Sequence, residues 1–329
     1  MKIGITFDLK ADLPANAALP DDWQEEFDSP DTVAAIAAAL RGLGHEVVEL
    51  GDGSALLHRL LADPPEFVFN IAEGQGVGRS REARVPAVLE MLGIPFTGSD
   101  PLTLAVALDK DCARRLVASV GVPVPWGTVI APDASDPDVL ETVRYPAIVK
   151  PNWEGSSKGI RSKCLVHAPG ELAEVVAGMQ RDYRQPLLVE EFIAGDELTV
   201  GILGNSAPRV LGIMRVLPRS AEKHFVYSLE VKRDFRRRVR YECPAVLDEE
   251  VRSVVEYNAL LAYQALGCRD VARIDFRLRD GVPYFLEANP LPGLNPESSD
   301  LVILAGLVGV GHAELIGMIL DAARQRLNV

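Results

Sequence analysis

The sequence predicts a mixed α/β and α+β protein with three lobes arranged around a shared cleft. Its 329 residues exceed the length of one small domain. Short apolar segments alternate with helical ones in the N-terminal part, an order typical of a parallel sheet covered by helices. The pattern changes near residues 95–101 and again near residue 190. We therefore predict an N-terminal α/β domain over residues 1–99, a central subdomain over 100–189 and a C-terminal subdomain over 190–329.

The elements of the first lobe follow from local signals. Apolar strands are predicted at residues 2–7, 46–50 and 66–71. Ser29 is a typical helix N-cap with Pro30 at the first helical position, and the alanine-rich residues 31–43 continue as a helix. Further helices are expected near residues 55–61 and 81–92. A dinucleotide-dependent oxidoreductase is disfavoured because no Gly-x-Gly-x-x-Gly turn follows the first strand.

Composition and charge narrow the function classes. Hydrophobic residues make up 48% of the chain and charged residues 25%, as in a folded globular protein. The net charge of -13 argues against a nucleic-acid-binding surface, and no apolar run reaches the roughly 18 residues of a membrane-spanning helix. The N-terminal segment indicates a strand rather than a signal peptide, so we expect a cytoplasmic protein without a membrane partner. The four scattered cysteines lack a Cys-x-x-Cys pair, which favours free thiols.

Polar side chains share one face of a predicted C-terminal hairpin. Because successive side chains of a strand point to opposite faces, Arg273 and Asp275 lie on one face of the strand over residues 271–278. Glu287 and Asn289 share a face of the return strand in the same way. Two carboxylates and an amide oxygen suit Mg²⁺, which bridges protein carboxylates to phosphates. We predict a metal site at these three residues, with a surface salt-bridge ladder as the alternative.

The length of the hairpin loop decides whether the two polar pairs meet. A two-residue loop would place the carboxylates on opposite faces of the hairpin. A three-residue loop with Gly281 in the left-handed conformation would bring them to the same face. In that register Arg273 pairs with Glu287, and Asp275 lies opposite Phe285. We therefore predict an odd number of loop residues.

Two central segments have the chemistry of a nucleotide site. Lys150 leaves an apolar strand and precedes a Gly-Ser-Ser-Lys-Gly turn at residues 155–159, which supplies a point charge and backbone donors for a polyphosphate. The order of a Walker A loop is absent. In the next segment Glu190 lies on an apolar strand. Phe192 and Ile193 can pack on a purine base, and the Glu197 carboxylate can accept hydrogen bonds from ribose hydroxyls. Taken alone, such residues belong more often to core and surface.

Two further segments leave alternatives open. The glycine-rich loop at residues 73–79 follows a predicted buried strand, where it is either a ligand-binding loop or a flexible turn. The run from Lys232 to Arg240 is densely basic, and it is either a solvated face or an arm that meets phosphates.

Taken together, these segments resemble the ATP-grasp superfamily and, within it, the D-alanine–D-alanine ligases. The resemblance covers nearly the whole chain, and the order and spacing of the motifs agree. The matching motifs occupy residues 97–99, 108–110, 148–151, 154–157, 189–193, 272–275 and 286–289. The resemblance implies a three-lobed ATP-grasp architecture, with ATP bound between the central and C-terminal lobes.

The same resemblance implies roles for individual residues, with ATP and Mg²⁺ as cofactors. The ATP-binding residues are Lys110, Lys150, Ser157, Glu190, Phe192, Ile193, Glu197 and Lys232. The metal ligands are Asp275, Glu287 and Asn289. The catalytic residues are Arg273, Ser156 and Lys232, the last of them in a mobile loop over residues 227–233. The substrate-binding residues are Glu73, Tyr227, Arg233, Arg273, Ser298 and Ser299.

The departures from the family pattern lie toward the amino-acid substrates. The N-terminal Gly-Gly-x-Ser-x-Glu signature is missing, with Glu26 and Asp28 as candidate replacements for its glutamate. The segment at residues 73–82 also differs, and Arg233 stands where a tyrosine is expected. A substrate more acidic than alanine is suggested by four additional arginines, Arg79, Arg81, Arg84 and Arg233.

The function implied is an ATP-dependent carboxylate–amine ligase that forms an acyl phosphate. We expect it to act on small molecules, an amino acid or dipeptide-like substrate other than D-alanine, with a homodimer as a further expectation. The alternatives are a true D-alanine–D-alanine ligase, a kinase-like enzyme that releases a phosphorylated product, and a non-catalytic ATP-binding regulatory module.

Overall fold

The computed structural model describes residues 1–10, 19–132, 142–220 and 222–329. The strands in these ranges form three sheets, and each sheet is built from one part of the chain. This arrangement agrees with the predicted mixed fold class, while the domain boundaries at residues 99 and 189 stay a prediction.

The first sheet is parallel and has the order β2-β1-β3. Its strands and helices are β1 (Lys2–Thr6), α1 (Pro30–Gly42), β2 (Glu46–Glu49), α2 (Gly53–Ala62), β3 (Phe67–Asn70) and α3 (Arg84–Leu92). The predicted N-cap of α1 is confirmed, since the Ser29 hydroxyl accepts a hydrogen bond from the Thr32 amide at 3.2 Å. The parallel sheet predicted from the alternating strand and helix signals is therefore present.

The second sheet is antiparallel and has the order β4-β7-β5-β6. The elements of this part are α4 (Pro101–Leu108), α5 (Lys110–Ser119), β4 (Gly127–Ile130), β5 (Ala147–Pro151), β6 (Leu165–Val166), α6 (Pro169–Tyr183) and β7 (Leu187–Glu191). The Asp109 carboxylate accepts from the Cys112 amide at 3.0 Å and so caps α5. The cap fixes Lys110 at the first position of this helix.

The third sheet is antiparallel and has the order β10-β9-β8-β11-β12. Its strands are β8 (Asp196–Leu203), β9 (Arg209–Pro218), β10 (Val239–Glu242), β11 (Val271–Arg279) and β12 (Val282–Asn289). The helices of this part are α7 (Leu229–Arg233), α8 (Phe235–Arg238), α9 (Glu249–Leu266), α10 (Asp300–Leu307) and α11 (His312–Leu327).

Shared hydrophobic cores hold the parts together. Leu315 and Ile319 of α11 pack with Ile36 of α1 and Ile3 of β1, so the C-terminal helix covers the first sheet. In the described ranges no single helix is long and apolar enough to cross a membrane. Only α10 and α11 taken as a pair reach the length and composition, and they are bent by 106°.

The hairpin between β11 and β12 corrects one prediction. Arg279 pairs with Val282, so the loop holds two residues and the expected odd number is wrong. Both loop residues are left-handed, with φ of 53° at Asp280 and 77° at Gly281. This backbone matches the right-handed twist of the flanking strands, which favours the two-residue turn.

A β-bulge nevertheless brings the polar residues to one face. Phe276 pairs with Phe285, but the register shifts at the next position, and Asp275 pairs with Glu287. Leu286 is the extra residue, and it reverses the faces of everything that follows on β12. Arg273 consequently lies opposite Asn289 and not opposite Glu287 as predicted.

Candidate active site

Asp275, Glu287 and Asn289 are adjacent at the bulged end of the hairpin. The Asn289 Nδ2 atom lies 3.3 Å from Asp275 Oδ2 and 3.4 Å from Glu287 Oε1. The Thr199 hydroxyl on β8 donates to Asp275 Oδ1 at 3.0 Å. The three side chains predicted to bind the metal are thus brought together by two neighbouring strands.

The chemistry of this donor set fits Mg²⁺. It offers two carboxylates and one amide, and a half-turn of the Asn289 side chain presents its oxygen instead of its nitrogen. Within the described ranges no group of three or more His, Cys, Asp or Glu side chains is arranged to hold a metal ion. The other ligands would therefore be water and phosphate oxygens, as is usual for Mg²⁺ beside a nucleotide.

Arg273 is held beside this group by three carboxylates. Its guanidinium lies 2.8 Å from Asp275 Oδ2, 3.6 Å from Glu287 Oε1 and 3.7 Å from Asp300 Oδ2. Burial alone would lower the pKa of Arg273, but these three carboxylates raise it above its usual value. The side chain is therefore a fixed positive charge that cannot lose its proton.

Glu287 is surrounded by cations from several parts of the chain. The Lys110 Nζ atom lies 3.2 Å from Glu287 Oε2 and also donates to the carbonyl of Glu154. Burial alone would raise the pKa of Glu287, but Lys110, Arg273 and Lys232 hold it below its usual range. Glu287 is consequently an ionised carboxylate at neutral pH.

All the predicted nucleotide residues except Lys110 line one pocket, named the nucleotide pocket after that prediction, while Lys110 lines the neighbouring cavity. The nucleotide pocket is bounded by Lys150, Ser157, Glu190, Phe192, Ile193, Glu197 and Lys232. The Lys150 Nζ atom lies 2.5 Å from Glu190 Oε2, while Glu190 Oε1 is buried without a hydrogen-bond partner in the described part of the chain. Burial raises the pKa of Glu197, and Arg277 opposes this rise.

The serine loop and the predicted mobile loop meet over the pocket. Ser156 and Ser157 have φ of 50° and 57°, a left-handed conformation that costs energy in residues other than glycine. The Ser157 hydroxyl donates to the Tyr227 carbonyl at 3.2 Å. The Tyr227 hydroxyl in turn donates to Asp300 Oδ1 at 3.1 Å, and Lys232 Nζ lies 3.8 Å from Asp300 Oδ2.

A second cavity of about 360 Å³ adjoins the first and holds most of the predicted substrate residues. Its lining includes Glu73, Ser156, Arg233, Arg273, Ser298 and Ser299. Tyr227 lines the nucleotide pocket, while Glu287, Lys232 and Asp300 line both. Ser298 and Ser299 bind the loop before α10, since Ser298 Oγ donates to Asn295 Oδ1 at 2.9 Å and Ser299 Oγ accepts from the Asn295 amide at 2.9 Å.

Four carboxyl side chains, the carboxyl cluster, line this second cavity, two of them buried and two half-buried. They belong to Glu26, Asp28, Glu73 and Glu82. Burial, reinforced by Asp8, raises the pKa of Asp28 to about 7. Burial also raises the pKa of Glu82 to about 7 and that of Glu73 well above its usual value. The carboxyl cluster favours a positively charged group of a ligand.

The four arginines that suggested an acidic substrate all have partners within the chain. Arg79 lies 3.3 Å from Asp109 Oδ2, and Arg84 donates to the Gln75 carbonyl at 2.7 Å. Arg81 is buried 2.5 Å from Glu26 Oε1. Arg233 lies 2.6 Å from Glu25 Oε2 and 3.0 Å from Asp21 Oδ2. Their charges are satisfied by carboxylates and a carbonyl, so they no longer argue for an acidic substrate.

Two residues of the site were missed by the sequence reasoning. Arg277 is buried in the nucleotide pocket, and it shares a strand face with Arg273 and Asp275, so strand alternation alone was sufficient to place it there. Asp300 joins Tyr227, Lys232 and Arg273, but it begins a helix distant in sequence and no local pattern marked it.

The sequence is similar to those of known proteins. A family model described as the D-ala D-ala ligase C-terminus matches residues 116–321. A D-alanine–D-alanine ligase of Aquifex aeolicus is 36% identical over 293 residues, covering 88% of this chain and 93% of that protein. An uncharacterised protein of Sinorhizobium fredii is 35% identical over 300 residues, covering 88% of this chain and 87% of that protein.

A solved structure shows the same architecture. The crystal structure of D-alanine–D-alanine ligase from Bacillus anthracis complexed with ATP matches with a TM-score of 0.75 at 23% identity, covering 100% of this chain and 99% of that one. The fold and the relatives define an ATP-grasp enzyme, an ATP-dependent ligase that forms C–N bonds. The chain belongs to the D-alanine–D-alanine ligase family.

Proposed function

We propose that this enzyme joins a carboxylate to an amine through an acyl phosphate, using an amino acid or dipeptide-like substrate other than D-alanine. The observation that carries the proposal is the position of Glu287. It borders both cavities and lies between Lys110 at 3.2 Å and Arg273 at 3.6 Å. Nucleotide phosphates and a substrate carboxylate would meet at this junction.

In the first step a substrate carboxylate oxygen attacks the γ-phosphorus of ATP, and ADP leaves. Lys110, Lys150 and Lys232 neutralise the phosphate charge, and Ser156 and Ser157 cover the phosphates with backbone donors. When bound at Asp275, Glu287 and Asn289, Mg²⁺ would neutralise further charge on the phosphate oxygens.

In the second step the neutral acceptor amine attacks the acyl carbon, inorganic phosphate leaves, and the proton lost by the nitrogen goes to the departing phosphate. The negative charge that develops on the former carbonyl oxygen is stabilised by Arg273, whose positive charge is fixed by three carboxylates. The walls of the two cavities keep water from the acyl phosphate, which hydrolysis would otherwise consume.

The carboxyl cluster of the second cavity supports an ammonium-bearing acyl substrate. Asp28, Glu73 and Glu82 line the cavity together, and each has a raised pKa because burial disfavours its charge. A bound ammonium group would stabilise the ionised form of these carboxyl groups. These residues differ from the family pattern, which supports a substrate other than D-alanine.

A screen of amino acids and dipeptides for ADP release tests this function. We expect release to require both a carboxylate and an amine, with the highest kcat/KM for a pair other than two D-alanines. The second candidate, a true D-alanine–D-alanine ligase, is favoured by the Aquifex relative and predicts the fastest release with D-alanine alone. ADP release without any C–N product would contradict both.

A further inference from the structure

Arg277 is a buried guanidinium inside the nucleotide pocket. It lies on β11, two residues beyond Asp275, and only 4% of the residue is exposed. It shares the pocket lining with Glu190, Phe192 and Glu197. The phosphoryl and acyl-transfer steps described above do not use it.

Three segments around the pocket are connected through this one side chain. Its Nη1 atom donates to the Ile193 carbonyl at 3.3 Å, and its Nη2 atom donates to the Phe225 carbonyl at 2.5 Å. Nη2 also lies 3.4 Å from Glu197 Oε2. Arg277 is therefore the common partner of three segments: the link after β7, the segment leading into the predicted mobile loop, and the start of β8.

The guanidinium also stacks on an aromatic ring. Its Cζ atom lies 4.6 Å from the centre of the Phe192 ring, a cation–π distance. A flat guanidinium can stack on a ring and donate in its own plane at the same time, which a lysine ammonium cannot do. The Arg277 Nε atom has no hydrogen-bond acceptor in the described part of the chain, so one buried donor is left for a ligand.

Building on the proposed function, we propose that Arg277 is a specificity-determining residue of the nucleotide pocket. It holds Glu197 toward the ribose hydroxyls and holds Phe192 as a wall for the base. Its effect therefore belongs to nucleotide binding and not to the chemical steps.

The test compares Arg277→Met with Arg279→Met. Arg279 is a matched control, because it lies on the same strand face as Arg277 and has similar partners. Its guanidinium lies 4.8 Å from the centre of the Tyr284 ring and pairs with Glu191 at 2.7 Å. Arg279 itself does not line the pocket. The dissociation constants of ATP and of 2′,3′-dideoxy-ATP are measured by calorimetry, together with kcat and KM for the substrate pair found in the screen.

We expect Arg277→Met to raise the dissociation constant of ATP about tenfold. The constant for dideoxy-ATP should rise less, because that nucleotide lacks the hydroxyls bound by Glu197 and loses only the support that Arg277 gives to the Phe192 wall. At saturating ATP, kcat should stay within about twofold of the wild type. Arg279→Met should leave both constants unchanged, and Arg277→Lys should give an intermediate value.

Three results would overturn the inference. They are unchanged ATP binding in both Arg277 variants, an equal loss for ATP and dideoxy-ATP, or an equal loss in the Arg279 variant. If the methionine variant does not fold, the lysine variant decides by the same comparison. A wild-type protein that binds ATP without forming a C–N product refutes the proposed function and leaves this inference standing, whereas one that binds no ATP refutes both.

Discussion

At the scale of single residues, the pKa of each carboxyl group in the site is set by its burial and by the charges beside it. Glu287 stays ionised although it is largely shielded from solvent, since Lys110, Arg273 and Lys232 hold its pKa below the usual range. Asp28 shows the opposite balance, because burial and Asp8 outweigh Lys10 and raise its pKa to about 7. Two carboxyl side chains that line one cavity therefore differ in how readily they ionise.

The Glu287→Gln variant tests the charge at the junction of the cavities. Removing the carboxylate leaves the cations around it unbalanced and removes one metal ligand. We expect ATP turnover to fall at least about a hundredfold, as when a key electrostatic group is lost, with an unchanged circular dichroism spectrum. Glu249→Gln, an exposed carboxylate paired with Arg252, is the control and should keep full activity. Full turnover in the Glu287 variant would refute the metal assignment.

The Asp28→Asn variant tests the raised pKa of the Asp28 carboxyl. The folded protein keeps this carboxyl protonated at a pH where the unfolded chain has lost the proton, so the folded state binds more protons between about pH 4 and 7. The stability that Asp28 contributes is present below that window and is lost as the pH rises to about 7. We therefore expect the melting temperature of the variant to exceed that of the wild type at pH 8 and to match it near pH 4. An equal difference in melting temperature between variant and wild type at both pH values would contradict the raised pKa of Asp28.

At the scale of elements, the β11–β12 hairpin shows what the sequence could predict. Strand alternation correctly placed Arg273 with Asp275 and Glu287 with Asn289. The loop length was wrong, because a bulge at Leu286 has no separate sequence signal and reverses the faces as effectively as an extra loop residue. Two errors of one residue each, in the loop and in the strand, cancelled, so the predicted grouping survived.

The predicted mobile loop is fastened by Arg233 of α7. Its guanidinium reaches Glu25 at 2.6 Å and Asp21 at 3.0 Å, across more than two hundred positions of sequence. We expect Arg233→Met to lower kcat/KM about threefold to tenfold, because the loop closes less often, and to make activity less sensitive to salt. A series of activity measurements from low to high salt checks this.

Arg236→Met is the control for that series. Arg236 belongs to the same basic run and pairs with Glu297 at 3.0 Å, but both side chains are highly exposed. Such a pair contributes little, so this variant should behave as the wild type. A matching loss in both variants would show that the run acts through its net charge and not through the fastening of the loop.

At the scale of the whole molecule, the site depends on contacts between distant segments. Glu26 accepts from the Gly155 amide and lies 2.5 Å from Arg81, while Asp22 accepts from the Gly159 amide at 2.9 Å. The N-terminal segment thereby supports the serine loop of the central part. No local motif signals such contacts, which is why the grouping of the residues expected to bind ATP and metal could be predicted from the sequence, while the partners of Arg81 and Arg233 could not.

In the mechanism that we propose, a substrate carboxylate is activated by phosphorylation before the amine attacks it. The most direct measurement supplies the acyl substrate found in the screen with ¹⁸O in its carboxylate and analyses the inorganic phosphate by mass spectrometry. An acyl-phosphate mechanism transfers one carboxylate oxygen to phosphate, so we predict one ¹⁸O in each phosphate released with product. Phosphate that carries no label while the C–N product forms would contradict the account.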